Sequence, residues 1–379
     1  MNFKKVLYIA EDYLNSQVHH YLCEACSQQE LDITLFVLDR NNLAFRQKAT
    51  PENLHYKLTI APLQGSALRY KFDFSYKIAR KYRALKAAVS LNEIEMTCAA
   101  TLFSEGALAY KLYEKHAIPY VVMIRNTDYN FYFQKMVHLW PLGKKILLHA
   151  QKVIFIAPYY RQATLRLPLL RSLKTEIEQK SVLISNGIDP FWCINRWQRT
   201  YISNPHKILF VGNFNKGKNV PVLIKACASL KKQYPDLELH ISGGGGTNAK
   251  KVEALIAKHK WIFFYGRITD KENLKQLYRS CDIYAMPSHE TFGLVFIEAL
   301  TQCIPVVYGK DSGFDYRYEE GKVGYAAIIG NVQNISEKLA LVIQNYPQLI
   351  AQIQQLSFDS YNWDTIAAQL ITQAINPVS

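Results

Sequence analysis

The residues best equipped for chemistry lie in four short loops of the C-terminal half, each directly after a run of apolar and β-branched residues. KILFVG (207–212) is followed by NFNKGKN, which sets Asn213, Lys216 and Lys218 just beyond Gly212. LELHIS (237–242) is followed by four glycines beginning at Gly243, and IFFYG (262–266) by Arg267. DIYAMP (282–287) runs into SHETFGLVFIEAL, with Glu290, Thr291, Phe292, Gly293, Leu294 and Glu298. Lysine and arginine, backbone N–H groups freed by glycine, and a helix N-terminus near Gly293 are the donors that hold phosphate. Glu290 and Glu298 are carboxylates able to accept hydrogen bonds from vicinal hydroxyls, as a ribose or a pyranose offers. Taken singly, Lys218 reads as a surface lysine and the glutamate spacing as coincidence. Four such loops in succession point to a phosphorylated, hydroxyl-rich ligand.

What must position these loops is legible in the pattern around them. VLYIA (6–10), ITLFVL (33–38), ATLF (100–103), YVVMI (120–124), KVIFIA (152–157) and VLIS (182–185) read as strands in the first half. The four runs above and PVVYG (305–309) do so in the second. Helix-length segments at 16–30, 105–117, 220–234, 248–260 and 271–281 separate them, with Ser16 placed to cap the first. Alternation of this kind gives parallel sheets covered on both faces, whose ligands bind beyond the carboxyl ends of the strands. The pattern fills both halves, so the expected fold is α/β with two doubly wound, Rossmann-like domains. The turn-rich stretch around SNGIDPFWCINRWQRTYISNPHK separates them.

Composition sets the outer bounds. A chain of 379 residues with 49% hydrophobic and 20% charged residues builds sizeable cores. It contains no apolar run long enough to cross a membrane. The apolar stretch after Lys4 and Lys5 stops at Glu11 and Asp12, too early for a signal peptide, so it reads as a first strand and the protein as cytoplasmic. Seven scattered cysteines read as reduced packing residues; Cys23 and Cys26 form one CxxC with no second ligand pair, so no metal is expected. The net charge of +14 is uneven: residues 1–187 carry 25 Lys and Arg against 15 Asp and Glu. Arg69 to Lys86 and Lys135 to Arg171 concentrate it. These are solvated helix faces, or they meet an anionic membrane or a phosphate-bearing substrate. Tyr70, Phe72, Phe74, Tyr76 and Tyr82 are interleaved with the first cluster. No recognition motif accompanies the charge, so nucleic acid is not expected as a partner.

PSHETFGLVFIEALTQCIPVVYG resembles the signature of glycosyltransferase family 4, retaining enzymes of the GT-B fold. VGNFNKGKNVPVLIKA resembles that family's phosphate-binding loop, and GRITDKENLKQLYRSCDIYAMPS its lead-in. The likeness is strong over about 205–330 and weaker through ISNGIDPF and FDSYNWDTIAAQL. It implies an N-terminal acceptor-side domain (1–187), a hinge (188–204), and a nucleotide-sugar domain (205–355). A C-terminal helix (356–379) would return to the first domain, and the two domains would face a central cleft. It also implies that Glu290 holds donor-sugar hydroxyls, with the backbone of Thr291 to Leu294 near sugar and diphosphate. Glu298 would bind the ribose, Lys218 would neutralise the departing diphosphate, and Gly212 would let the chain pass close. The family's arginine after the first glycine is replaced by Asn213, so Lys216 or Arg267 is expected to supply that charge. The histidine often found facing the reacting sugar is missing. Arg125, Asn126, Thr127 and Asp128 stand there, resembling a string in bacterial polysaccharide-assembly transferases. Asp128 caps a turn, or faces the acceptor with Arg125.

The expected activity is sugar transfer, with retention, from a nucleotide diphosphate sugar to a hydroxyl acceptor. A glycan or lipid-linked glycan in surface polysaccharide assembly is the expected acceptor, reached from the inner face of the membrane. Glu290, Lys218 and Asp128 are the candidate catalytic residues. No D-x-D string occurs, so neither a metal nor another cofactor is expected, and cations of the chain stabilise the leaving diphosphate. A nucleotide-sugar epimerase of the same fold is the nearest alternative. A basic nucleic-acid binder is the non-enzymatic one. A dehydrogenase is disfavoured because the GGGG run lacks the third glycine of a dinucleotide-binding turn.

Overall fold

The computed structural model describes residues 2–39, 53–62, 67–200 and 204–377. They form two compact units, Met1–Gly187 with Ser360–Ser379 and Ile188–Asp359. In the first, strands β1 (Lys5–Ile9), β2 (Asp32–Asp39), β3 (Lys57–Pro62), β4 (Met96–Ala99), β5 (Tyr120–Ile124), β6 (Lys152–Phe155) and β7 (Ser181–Leu183) form one sheet, ordered β3-β2-β1-β4-β5-β6-β7. In the second, β8 (Lys207–Asn213), β9 (Glu238–Gly244), β10 (Ile262–Phe264), β11 (Ile283–Met286), β12 (Val306–Gly309) and β13 (Gly324–Ala327) are ordered β10-β9-β8-β11-β12-β13. Every pairing among them is parallel. Both units are therefore doubly wound. Central strands such as β5 and β11 are buried along their whole length, which is why they read as unbroken apolar runs.

The sequence reading departs from the structure in places that have physical causes. ATLF is not a strand: β4 ends at Ala99, and Ala100 makes the last bond to the β1 side (N to Ile9 O, 3.0 Å) before the chain turns. The Arg125 side chain takes the Ala100 carbonyl at 2.7 Å, and Gly106 folds back to give its N–H to Thr101 O at 2.9 Å. Strands β3 and β13 went unread, being outer strands with polar or small residues (KLTIAP, GYAA) that carry little strand signal. Ser16 does not cap the first helix, Val18–Gln28, which starts after Gln17 without a side-chain cap.

Residues 188–200, expected as a hinge, pack within the second unit. Asp189 caps a short helix, Pro190–Ile194, by accepting from Phe191 N at 3.0 Å. Trp192 is buried edge-on against Tyr278, and buried Arg199 pairs with Asp282 at 3.1 Å. The C-terminal helix, Trp363–Leu370, packs in the first unit, with Trp363 stacked on Tyr21 at 5.9 Å. A Cβ on Gly187 would lie 2.6 Å from that indole, so only glycine fits beneath it.

The basic Arg69–Lys86 segment largely forms the helix Phe74–Ala88, and its charges do not all face outward. Lys81 is fully buried and ion-paired with Glu11. Phe74 and Tyr82 pack against the cores, leaving Phe72, 74% exposed, as the outward aromatic of the five. Cys23 and Cys26 are buried, and burial pushes both thiols up, as befits packing residues.

Candidate functional site

In the second sheet the chain leaves β8 toward β9 on one side and β11 toward β12 on the other. Loops that diverge from neighbouring strand ends leave a crevice at that switch point. Lys218 stands on one lip, at the end of a single turn (Lys216–Lys218) after β8, and Glu290 on the other, after β11. Lys218 Nζ lies 2.7 Å from Glu290 Oε1, with the two side chains only 24% and 13% exposed. Ser288, fully buried, donates its hydroxyl to the same oxygen at 2.6 Å. Asn219, in the left-handed conformation that starts the helix Val220–Leu230, donates to Pro287 O at 3.3 Å and ties the lips together. Behind Glu290 the backbone is held by contact: Gly313 N–H bonds Glu290 O at 2.9 Å. A Cβ on Gly313 would sit 2.1 Å from Thr291 O, and one on Gly309 would sit 2.5 Å from Ser288 O.

The other expected donors spread outward from this pair. Gly293 has φ +86, and a Cβ there would meet the Phe296 ring at 2.6 Å, so glycine is required where the helix Leu294–Thr301 begins. Phe292 is buried with the Arg317 guanidinium 4.0 Å over its ring, leaving its backbone, with that of Thr291 and Leu294, as the part near the crevice. Glu298 lies half-buried on that helix; burial, reinforced by the charge of Asp189, pushes its carboxyl up to about 7. Gly212 and Gly243 face each other across β8 and β9, where a Cβ on Gly243 would lie 1.8 Å from Gly212 O. The freedom of Gly243 is thus used for strand approach rather than ligand approach. Asn213 is exposed and accepts from Asn215 N at 3.3 Å, while Lys216 N bonds Thr247 Oγ1 at 3.2 Å. Arg267 is exposed past the end of the outer strand β10, which lies two strands from β8. Lys218 is the cation that meets Glu290. Ser288 was missed in the sequence because a buried serine beside a proline carries no signal of its own.

The first unit has a crevice at its own switch point, between β1 and β4, with a cavity of about 350 Å³. Glu11, Asp12, Asp39, Lys77, Thr101, Ser104 and Glu105 line it with Asp128. Sequence reasoning missed all but the last, although the rule that ligands gather at strand ends pointed to them. Within the Arg125–Asp128 string Thr127 is exposed at the cavity, while the polar groups of the others fasten the neighbouring loops. Fully buried Asp128 accepts from Phe103 N (3.1 Å) and Arg125 N (3.0 Å), one bond to each oxygen. The Arg125 side chain reaches Ala100 O, and Asn126 accepts from Asn130. These three residues brace the loops after β4 and β5, and their polar groups are engaged within the unit.

Asp128 titrates in a telling range: burial pushes its carboxyl up to about 7 against the lowering effect of the backbone donors. A carboxyl raised above its unfolded value contributes stability that is whole below about pH 4 and lost as pH rises through 7. That loss amounts to up to about 4 kcal/mol at alkaline pH. Asp128→Asn should be less stable than wild type at pH 5 by about 1–3 kcal/mol, because its NH₂ opposes a backbone N–H. The gap should narrow by pH 8, where wild type carries the buried charge. Thermal unfolding of both proteins at the two pH values checks this, and a gap that widens with pH would refute the assignment.

Paired lips carrying a cation, a carboxylate and a helix N-terminus suit a diphosphate joined to a polyol. Residues 194–370 match the family of glycosyl transferases group 1. The chain is 30% identical over 174 residues to the D-inositol 3-phosphate glycosyltransferase of Corynebacterium urealyticum, covering 43% of this chain and 41% of that protein. It therefore spans less than half the length of that relative. Among solved structures, sucrose-phosphate synthase from Thermosynechococcus elongatus is similar with a TM-score of 0.74 at 18% identity, covering 97% of both chains. Anabaena HepE in complex with UDP is similar with a TM-score of 0.67 at 17% identity, covering 98% of this chain and 97% of that one. At such identities the likeness speaks for the fold. Residues 194–370 are thus similar to the glycosyl transferases group 1, and the whole chain has a fold of two Rossmann-like units of the GT-B type.

Proposed function

We propose that this protein moves a sugar from a nucleotide diphosphate sugar to a hydroxyl acceptor, retaining the configuration at the anomeric carbon. The observation that carries the reading is the meeting of Lys218 and Glu290 across the β8/β11 switch point. Such a transfer builds positive charge on the sugar and negative charge on the leaving diphosphate. Lys218 and the N–H groups at Leu294 stabilise the latter, and Glu290 holds sugar hydroxyls. Glu298, on the same helix, takes the ribose. The solved relative bound to UDP supports a nucleoside diphosphate as the moiety recognised. The chain's own cations serve where other transferases use a chelated metal. A thermal-shift panel of UDP-, GDP-, ADP-, CDP- and dTDP-sugars tests the reading, since a ligand bound only by the folded protein raises its melting temperature. One donor class should shift it, and turnover of that donor should survive EDTA. No shift with any donor refutes the reading; activity lost to EDTA and restored by magnesium refutes its metal-free half. Release of a free epimer without acceptor would favour the epimerase.

The acceptor is a glycan or lipid-linked glycan, for which the first unit's cavity offers carboxylates and hydroxyls to a polyol. Peripheral binding to the cytoplasmic face of an anionic membrane fits the exposed Phe72, Phe131 and Val137 and the exposed Arg83, Lys86 and Lys135. Basic side chains near such a surface contribute roughly 1 kcal/mol each. Among the described residues no helix is long and apolar enough to cross a membrane. Co-sedimentation with phosphatidylserine-containing vesicles should exceed that with phosphatidylcholine alone and fall with salt. It should also fall when Arg83, Lys86 and Lys135 are changed to Glu. Equal binding to both vesicles refutes the membrane reading.

A further inference from the structure

The ammonium of Lys218 has a strong partner inside the protein. Its ion pair with Glu290 is half-sheltered from solvent, and the carboxylate is not loose: the Ser288 hydroxyl grips the same oxygen from a fully buried position. The backbone on either side of Glu290 is fixed by Gly309 and Gly313. Glu290 is therefore a fixed anion at the distance a phosphate oxygen takes from a lysine. Two anions that need the same ammonium at hydrogen-bonding distance repel one another and divide its donors between them.

We propose that Glu290 competes with the nucleoside diphosphate for Lys218, which limits how tightly the spent nucleotide is held and speeds its departure. The inference rests on the reading of this crevice as a nucleotide-sugar site. With the sugar attached, Glu290 has hydroxyls to accept and the opposition is offset. Once the sugar has been transferred and has left, no sugar hydroxyl remains beside the carboxylate, and Glu290 draws Lys218 back from the diphosphate. Ser288 is the positioning residue of this arrangement, keeping the carboxylate in reach of the ammonium.

The proposal predicts a gain of binding on removing a charge, an effect that damage to the fold does not produce. Calorimetric titration of wild type, Glu290→Gln and Ser288→Ala with UDP, GDP, ADP, CDP and dTDP provides the test. The nucleotide that binds wild type should bind Glu290→Gln roughly tenfold more tightly and leave it more slowly. Ser288→Ala should move the same way by about two- to threefold, and should add nothing once Glu290 is Gln. A Ser288 with a merely structural role would leave affinity unchanged or weaken it additively in both backgrounds. Unchanged or weaker binding by Glu290→Gln overturns the competition while leaving the nucleotide site standing. If none of the five nucleotides binds wild type, the reading of the site falls and the competition with it.

Discussion

Glu290→Gln should lower turnover on the order of 100-fold or more while the protein stays folded. The substitution keeps the size of the side chain and its place beside Ser288 and Lys218. What it removes is the negative charge, which strengthens hydrogen bonds from the sugar's hydroxyls as positive charge grows at the anomeric carbon. A contact that strengthens in the transition state shows in turnover more than in donor affinity. Initial rates at saturating donor, with thermal unfolding as a control, measure it. A variant with near-normal turnover would remove Glu290 from the reaction. Together with the tighter product binding proposed above, the change should separate the two roles: slower chemistry and a nucleotide that lingers.

Removing Lys218 should act on the other half of the donor. Lys218→Ala should weaken nucleoside diphosphate binding by several-fold to about a hundredfold, corresponding to about 1–3 kcal/mol for a charge-assisted contact. The effect should be confined to phosphate. A nucleoside without phosphates should bind wild type and variant alike, because Lys218 stands on the lip opposite the helix that carries Glu298. Titration of both proteins with the diphosphate and the nucleoside decides the matter. Equal loss for both ligands would mark a general collapse of the crevice, and no loss for either would leave the phosphate to the exposed Lys216 or Arg267.

The doubly wound architecture was readable because each central strand is a short apolar run bounded by turn residues, and because the motif-bearing loops follow such runs. Lys218 and Glu290 could be placed from the sequence on adjoining loops, since the strand-end rule needs only strand positions. The contact between them could not, because it depends on β8 lying beside β11, which are separated in the chain by two strands. Ser288 stayed hidden for the same reason: its importance lies in where its hydroxyl points. The Arg125–Asp128 string left two roles open in the sequence because charged residues after a strand look alike whether they face a ligand or fasten two loops. Only the backbone donors of Phe103 and Arg125 tell the cases apart. Lys81 shows the limit of charge counting, since a lysine within a basic helix can be an interior residue when Glu11 meets it.

The first unit is written in two pieces, Met1–Gly187 and Ser360–Ser379, with the whole of the second unit between them. Synthesis runs from the N-terminus, so β1 to β7 emerge early yet wait for about 170 further residues before the Trp363 helix can close over Gly187. The second unit, being continuous, has all its parts sooner. The piece made first is thus the piece completed last. Until then the bed of Trp363, with Tyr21 on one side, is an apolar surface without its cover, which a nascent chain must keep from other partners.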